Sequence, residues 1–205
     1  LTSSHASEGK SFTSITLCRK LAERGKRVVL VDTDLRRSMI TTVYGVQFAP
    51  GSKKQGLSHY LAGIAEKEEV LFHTNVPGMD FIPMGHELLN PIPLLSSERF
   101  QNLLDGLAEQ YDYVIVDAAP VGVVIDAAEI AKVCDGILLV VSYNQVHRQE
   151  LIDAKNQLEQ TGCPILGTIL NQVDYEGFAN KKYYYKSHYS SYYKAYEKEA
   201  EEKKS

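Results

Sequence analysis

An α/β fold built on a mostly parallel sheet is what this sequence predicts, and three observations carry that prediction. Apolar runs four to seven residues long end in polar residues. Helical patterns follow them, directly or after a loop. A glycine- and serine-containing loop ending in Gly-Lys-Ser stands at the start of one of those helices. Continuous apolar runs of this length are expected of strands covered on both faces, as in parallel sheets. Arg27 to Asp32, Tyr113 to Asp117, Gly136 to Ser142 and Pro164 to Val173 read as such strands. Between them, Ser11 to Arg24 reads as a helix stopped by Gly25, followed in order by Leu94 to Gln110, Ile125 to Val133 and Val146 to Gln160. The section 35–90 is less regular, with a short helix near Leu57 to Ala62, a strand at Met79 to Met84, and a loop over Gly85 to Pro93. Strands alternating with helices place ligand sites at the carboxyl ends of the strands.

At 205 residues the chain has room for one domain and a tail. Residues 1–173 read as the domain. From Asp174 onward periodicity vanishes and the composition shifts to Tyr, Lys and Ser, so 174–205 reads as a flexible Tyr-rich tail. Hydrophobic residues at 44% and charged residues at 23% are ordinary for a globular protein. The apolar runs are too short to cross a bilayer, and no signal peptide precedes the loop. Three scattered cysteines, Cys18, Cys134 and Cys163, match neither a disulfide framework nor a zinc-ligand spacing, which fits a cytoplasmic compartment. A net charge of −4 without a basic face argues against nucleic acid as a partner.

The segment Ser4-His5-Ala6-Ser7-Glu8-Gly9-Lys10-Ser11 ends as a phosphate loop does, with Ser4 where the general pattern has its first Gly. Ser7, Glu8, Gly9, Lys10, Ser11 and Phe12 are the candidate nucleotide contacts. Their backbone N–H groups meet phosphate oxygens at a helix N-terminus, Lys10 neutralises the β/γ charge, and Ser11 ligates Mg²⁺. Asp32 and Asp34 close one apolar run and Asp117 closes another, so all three carboxylates fall on the loop's side of the sheet. There they can hold Mg²⁺, and one can take a proton from an attacking group. A single strand-ending Asp often only caps a turn; three behind a phosphate loop argue for a site. Arg36 and Arg37 are candidates for phosphate or a neighbouring subunit, against the commoner solvated loop. Asp126 reads as a helix N-cap. Asn171 reads either as a base-edge contact or as a turn former.

Together, Ser4 to Ser11, Val31-Asp32-Thr33-Asp34-Leu35-Arg36-Arg37-Ser38 and Tyr111 to Asp117 closely resemble the bacterial protein-tyrosine kinases of capsule and exopolysaccharide assembly. The resemblance extends through Gly56 to Gly63, Asn90-Pro91, Leu94 to Phe100, Leu170 to Val173 and the Tyr-rich C-terminus. It implies a phosphate-loop nucleotidase fold with ATP and Mg²⁺ as cofactors. Asp32, Asp34 and Asp117 match the Walker A′ and Walker B carboxylates. By that resemblance Asp32 activates the tyrosine hydroxyl, Ser11, Asp34 and Asp117 organise Mg²⁺, and Asn171 contacts adenine. Ala6-Ser7 stands where the family often has Pro-Gly, and Ala118-Ala119-Pro120 where Thr-Pro-Pro is frequent.

The resemblance also makes Tyr183, Tyr184, Tyr185, Tyr189, Tyr192, Tyr193 and Tyr196 candidate phosphoacceptors, modified by a neighbouring subunit in a ring. Lys181, Lys182, Lys186 and Lys194 make the unmodified stretch cationic, and each phosphate adds about −1.5 to −2 charges. A membrane-bound polysaccharide co-polymerase as activator, other tyrosine substrates and a cognate phosphatase are the implied partners, with the chain held at the inner face of the membrane. A positioning ATPase of the division-site and plasmid-partition type is the rival reading. It expects a further Lys near the loop's start, where this chain has Ser4-His5-Ala6. A non-catalytic ATP-binding adaptor is the other. Only Leu1 to Ser3 precede the loop, so its feeding strand is expected to be missing here and the natural protein to extend N-terminally.

Overall fold

A computed structural model describes residues 1–43, 46–48, 51 and 53–174, and the fold is that of the unit Leu1–Gln172. In chain order its elements are β1 (Thr2–Ser3), α1 (Lys10–Glu23), β2 (Val28–Asp32), α2 (Ile40–Val43), α3 (Leu57–Leu61), α4 (Lys67–Val70), β3 (Phe72–His73) and β4 (Met79–Ile82). They continue with α5 (Ile92–Leu95), α6 (Glu98–Ala108), β5 (Tyr113–Asp117), α7 (Asp126–Ala131), β6 (Ile137–Ser142), α8 (Arg148–Glu159) and β7 (Ile165–Asn171).

Two ladders run β3-β4-β2-β5 and β1-β6-β7. Every pairing is parallel except the short β3 against β4. Leu1 joins the two: its nitrogen donates to the Val116 carbonyl at 2.5 Å, and the Ala118 N–H donates to the Leu1 carbonyl at 3.0 Å. Donation to one neighbour and acceptance from the residue two further on is the parallel pattern, so β1 lies between β5 and β6. The strand expected to be missing is thus represented by two paired residues.

The strand β2 shows why its run is continuous. Val29 and Val31 belong to the larger core with Phe100, Leu103, Leu107 and Val116. Val28 and Leu30 point the other way, packing with Cys18 and Ala22 of α1 and with Met79 and Phe81. Successive strand side chains alternate faces; with apolar cover on both, no polar residue is tolerated until Asp32. The helix α1 stops where Gly25 adopts φ +77° and its N–H returns to the Ala22 carbonyl.

The expected helix over Leu94 to Gln110 is two helices. Ser96 and Ser97 separate them, and Ser97 caps α6 by accepting from the Phe100 N–H at 3.3 Å while its hydroxyl donates to the Leu94 carbonyl at 2.6 Å. All three cysteines are unbridged. No helix among the described residues is long and apolar enough to cross a membrane.

Candidate functional site

Parallel strands deliver their following loops to one edge, and five such loops meet here: those after β1, β2, β5, β6 and β7. The loop after β1 is Ser4 to Gly9. Its curl needs left-handed backbone at Ser7 (φ 65°) and Gly9 (φ 84°). The left-handed φ favours glycine at Gly9, and a methyl group there would displace the Asn171 amide, which lies 2.1 Å from where its carbon would stand.

Glu8 is the loop's internal brace. It is 2% exposed. One carboxylate oxygen accepts from the Ser4 hydroxyl at 2.9 Å and the His5 N–H at 2.6 Å, and the other from the Ser142 N–H at 3.0 Å. The Asn171 amide donates to the Glu8 carbonyl at 2.9 Å, and the Gln172 amide to the Ser7 carbonyl at 3.0 Å. The loop is thereby clipped to the ends of β6 and β7. Ser4 serves this brace in the place of the usual glycine. Gly122 backs directly onto it, since a Cβ there would meet the Ser4 carbonyl oxygen at 2.3 Å.

Lys10 and Ser11 open α1, whose first N–H groups have no partner within the helix. The Lys10 ammonium lies 3.3 Å from Asp117 and 3.4 Å from Asp34. The Ser11 hydroxyl donates to Asp117 at 2.6 Å, and Ser14 donates to that carboxylate's other oxygen at 2.9 Å. Burial works to lower the Lys10 pKa, but the charges of Asp117, Asp34 and Asp32 outweigh it and hold the ammonium above its ordinary value. A cation thus already stands between two carboxylates, at hard oxygen donors.

That donor set fits Mg²⁺, which takes one or two carboxylates and completes its shell with water and phosphate oxygens. Among the described residues no three His, Cys, Asp or Glu side chains form a metal cage. Mg²⁺ held partly by a nucleotide does not need one.

Asp32 is wholly buried. It accepts from the Ser38 hydroxyl and, at 3.3 Å, from the Asp34 N–H. Burial pushes its pKa up to about 8; the Ser38 bond opposes this and the nearby Asp117 charge adds to it. Asp34 also accepts from the Arg37 N–H at 3.1 Å.

Two expectations change. Arg36 is not a free side chain on a solvated loop, because its guanidinium grips Asp126 at 2.6 and 3.0 Å. Asp126 is not the helix cap: Ile125 holds that position, and Asp126 is the buried first residue of α7. The Asn171 amide nitrogen bonds the loop backbone at the Glu8 carbonyl. Glu8 carried a signal that could have been read, since an acid inside an anion-binding loop must be turned away from the anion and paired. Ser142 and Gln172 left none, because their partners come from distant chain; Ser38 lies only six positions from the Asp32 that it meets. Phe12 is half exposed beside the loop. The candidate acceptors Tyr183 to Tyr196 lie outside the described residues.

The family model for the AAA domain matches residues 6–162. The tyrosine-protein kinase CpsD of Streptococcus agalactiae is 39% identical over 174 residues, which span 85% of this chain and 73% of that protein. The kinase domain of the Escherichia coli tyrosine kinase ETK is similar with a TM-score of 0.78 and 34% identity, over 92% of this chain and 69% of that one. The septum site-determining protein MinD of Pyrococcus horikoshii, complexed with Mg-ADP, shares the fold, with a TM-score of 0.68 and 23% identity over 82% of this chain and 67% of that one. Kinship at this identity, over most of both chains, shows that this chain belongs to the bacterial tyrosine-protein kinase family.

Proposed function

We propose that this kinase transfers the γ-phosphoryl group of ATP to tyrosines of its own C-terminal segment, between subunits of a homo-oligomeric ring, and so regulates capsular or exopolysaccharide synthesis and export. The observation that carries this reading is the Lys10 ammonium held between Asp34 and Asp117, with Ser11 on the same carboxylate. ATP with Mg²⁺ would supply the phosphoryl group and neutralise its charge. Lys10 and the N–H groups of the loop would hold the phosphates, and Ser11, Asp34 and Asp117 the metal. As the tyrosine oxygen bonds to the γ-phosphorus, the bond from that phosphorus to the bridging oxygen breaks and ADP leaves; the hydroxyl proton goes to Asp32, whose pKa near 8 suits a base working close to neutral pH. Asn171 sits beside the loop at the sheet edge, which supports a contact with the base.

We further infer a membrane activator that completes the site and holds the chain at the inner face of the membrane, other tyrosine substrates, and a phosphatase that resets the segment. Incubation with labelled ATP, Mg²⁺ and the activator's cytoplasmic segment should place phosphate on Tyr183 to Tyr196, and Lys10→Met should abolish it. Phosphate released to water with no tyrosine modified would instead indicate a positioning ATPase. No turnover with intact ATP binding would indicate an adaptor.

A further inference from the structure

An ion pair that the phosphoryl-transfer reading leaves unused ties together the two loops that carry its carboxylates. Arg36 lies two residues beyond Asp34. Its Nε and Nη2 donate to the two oxygens of Asp126 at 2.6 and 3.0 Å, and its Nη1 donates to the Leu89 carbonyl at 2.9 Å. Asp126 is wholly buried at the first turn of α7, nine residues after Asp117 on the same connection. Burying a carboxylate costs several kcal/mol unless a partner compensates. A two-pronged guanidinium does so while fixing orientation as well as distance.

Ahead of Asp34, the Thr33 N–H and hydroxyl both donate to the Asp117 carbonyl, at 2.9 and 2.8 Å. The Arg37 N–H donates to one Asp34 oxygen, and the Leu88 N–H to the Leu35 carbonyl. The Asp117 carboxylate is fixed from α1 by Ser11 and Ser14. Thr33 thus ties the near side of Asp34 to Asp117, and the Arg36 fork ties its far side to the same connection through Asp126.

We propose that Arg36 and Asp126 are positioning residues for the metal: they hold Asp34 at the spacing from Asp117 that lets one Mg²⁺ be shared, and so govern the metal-dependent part of nucleotide binding. This rests on the reading of Asp34 and Asp117 as Mg²⁺ holders. Neither residue touches the phosphate loop or Lys10, so binding of nucleotide without metal does not depend on them.

The test is binding of a fluorescent ADP analogue to wild type, Arg36→Lys and Asp126→Asn, in EDTA and across a Mg²⁺ titration. Arg36→Lys keeps the charge and loses the fork, and its side chain is partly exposed, so it carries the test if Asp126→Asn fails to fold. In EDTA the variants should bind as wild type does. The Mg²⁺ concentration giving half of the affinity gain should rise about 10-fold or more, the usual cost of removing a partner that orients a metal-binding side chain. An unchanged Mg²⁺ midpoint with a lowered melting temperature would overturn the inference alone, leaving a purely structural brace. Equal losses in EDTA and Mg²⁺ would also overturn it. No Mg²⁺-dependent gain in the wild type would overturn it together with the metal reading on which it rests.

Discussion

Asp32 is the side chain on which burial and chemistry conflict most. Folding removes its carboxyl wholly from water, and its pKa rises from 3.8 to about 8. A carboxyl raised on folding favours the folded state while protonated. Its contribution is therefore complete below the unfolded pKa and is lost as pH rises between 3.8 and about 8. Without nucleotide and in a chelator, wild type should thus lose thermal stability across that range. Asp32→Asn, which can still accept from the Asp34 N–H, should flatten the dependence and melt higher at pH 8. Each kcal/mol recovered is worth about 2–4 °C at this length, readable by calorimetry. The same variant should lose tyrosine phosphorylation if Asp32 is the base.

Lys10, Ser11, Asp34 and Asp117 were legible in the sequence because their motif spacing and strand-end positions are local features. The Arg36–Asp126 pair was not, since its members lie 90 positions apart and each alone resembles an ordinary loop or cap residue.

Among the elements, β2, β5 and α1 follow directly from pattern: each is a run long enough for its period to show. The short α2 and α4 and the two-residue β3 carry too few residues to display any period, and it is packing that forms them. The break between α5 and α6 is the instructive case. Leu94, Leu95, Phe100, Leu103 and Leu107 continue one apolar pattern, yet Ser97 withdraws its backbone from the helix to cap the next. Loss of such a cap costs about 1 kcal/mol. Ser97→Ala should therefore lower the melting temperature by about 2–4 °C. Since α6 lies away from the phosphate loop, nucleotide affinity should stay as in wild type, which a binding titration on the same sample checks.

At the scale of the whole molecule, the proposal that phosphate passes between subunits has a direct measure. Lys10→Met with its tyrosines intact serves as acceptor, and a variant with Tyr183, Tyr184, Tyr185, Tyr189, Tyr192, Tyr193 and Tyr196 all changed to Phe serves as donor. Mixed with ATP, Mg²⁺ and activator, the Lys10→Met chain should become phosphorylated, although neither variant is modified alone. Label absent from the mixture but present in wild type would mean transfer within one chain.

By itself the sequence determined the parallel α/β class, the phosphate loop and the carboxylates that face it. Each is written in short-range spacing, and buried parallel strands admit only continuous apolar runs. The strand order β3-β4-β2-β5-β1-β6-β7, the clip of Glu8 onto Ser142 and the fork of Arg36 on Asp126 were decided only by tertiary structure. Hydrogen bonds between loops distant in the chain depend on which strands lie side by side, and no local pattern encodes that adjacency.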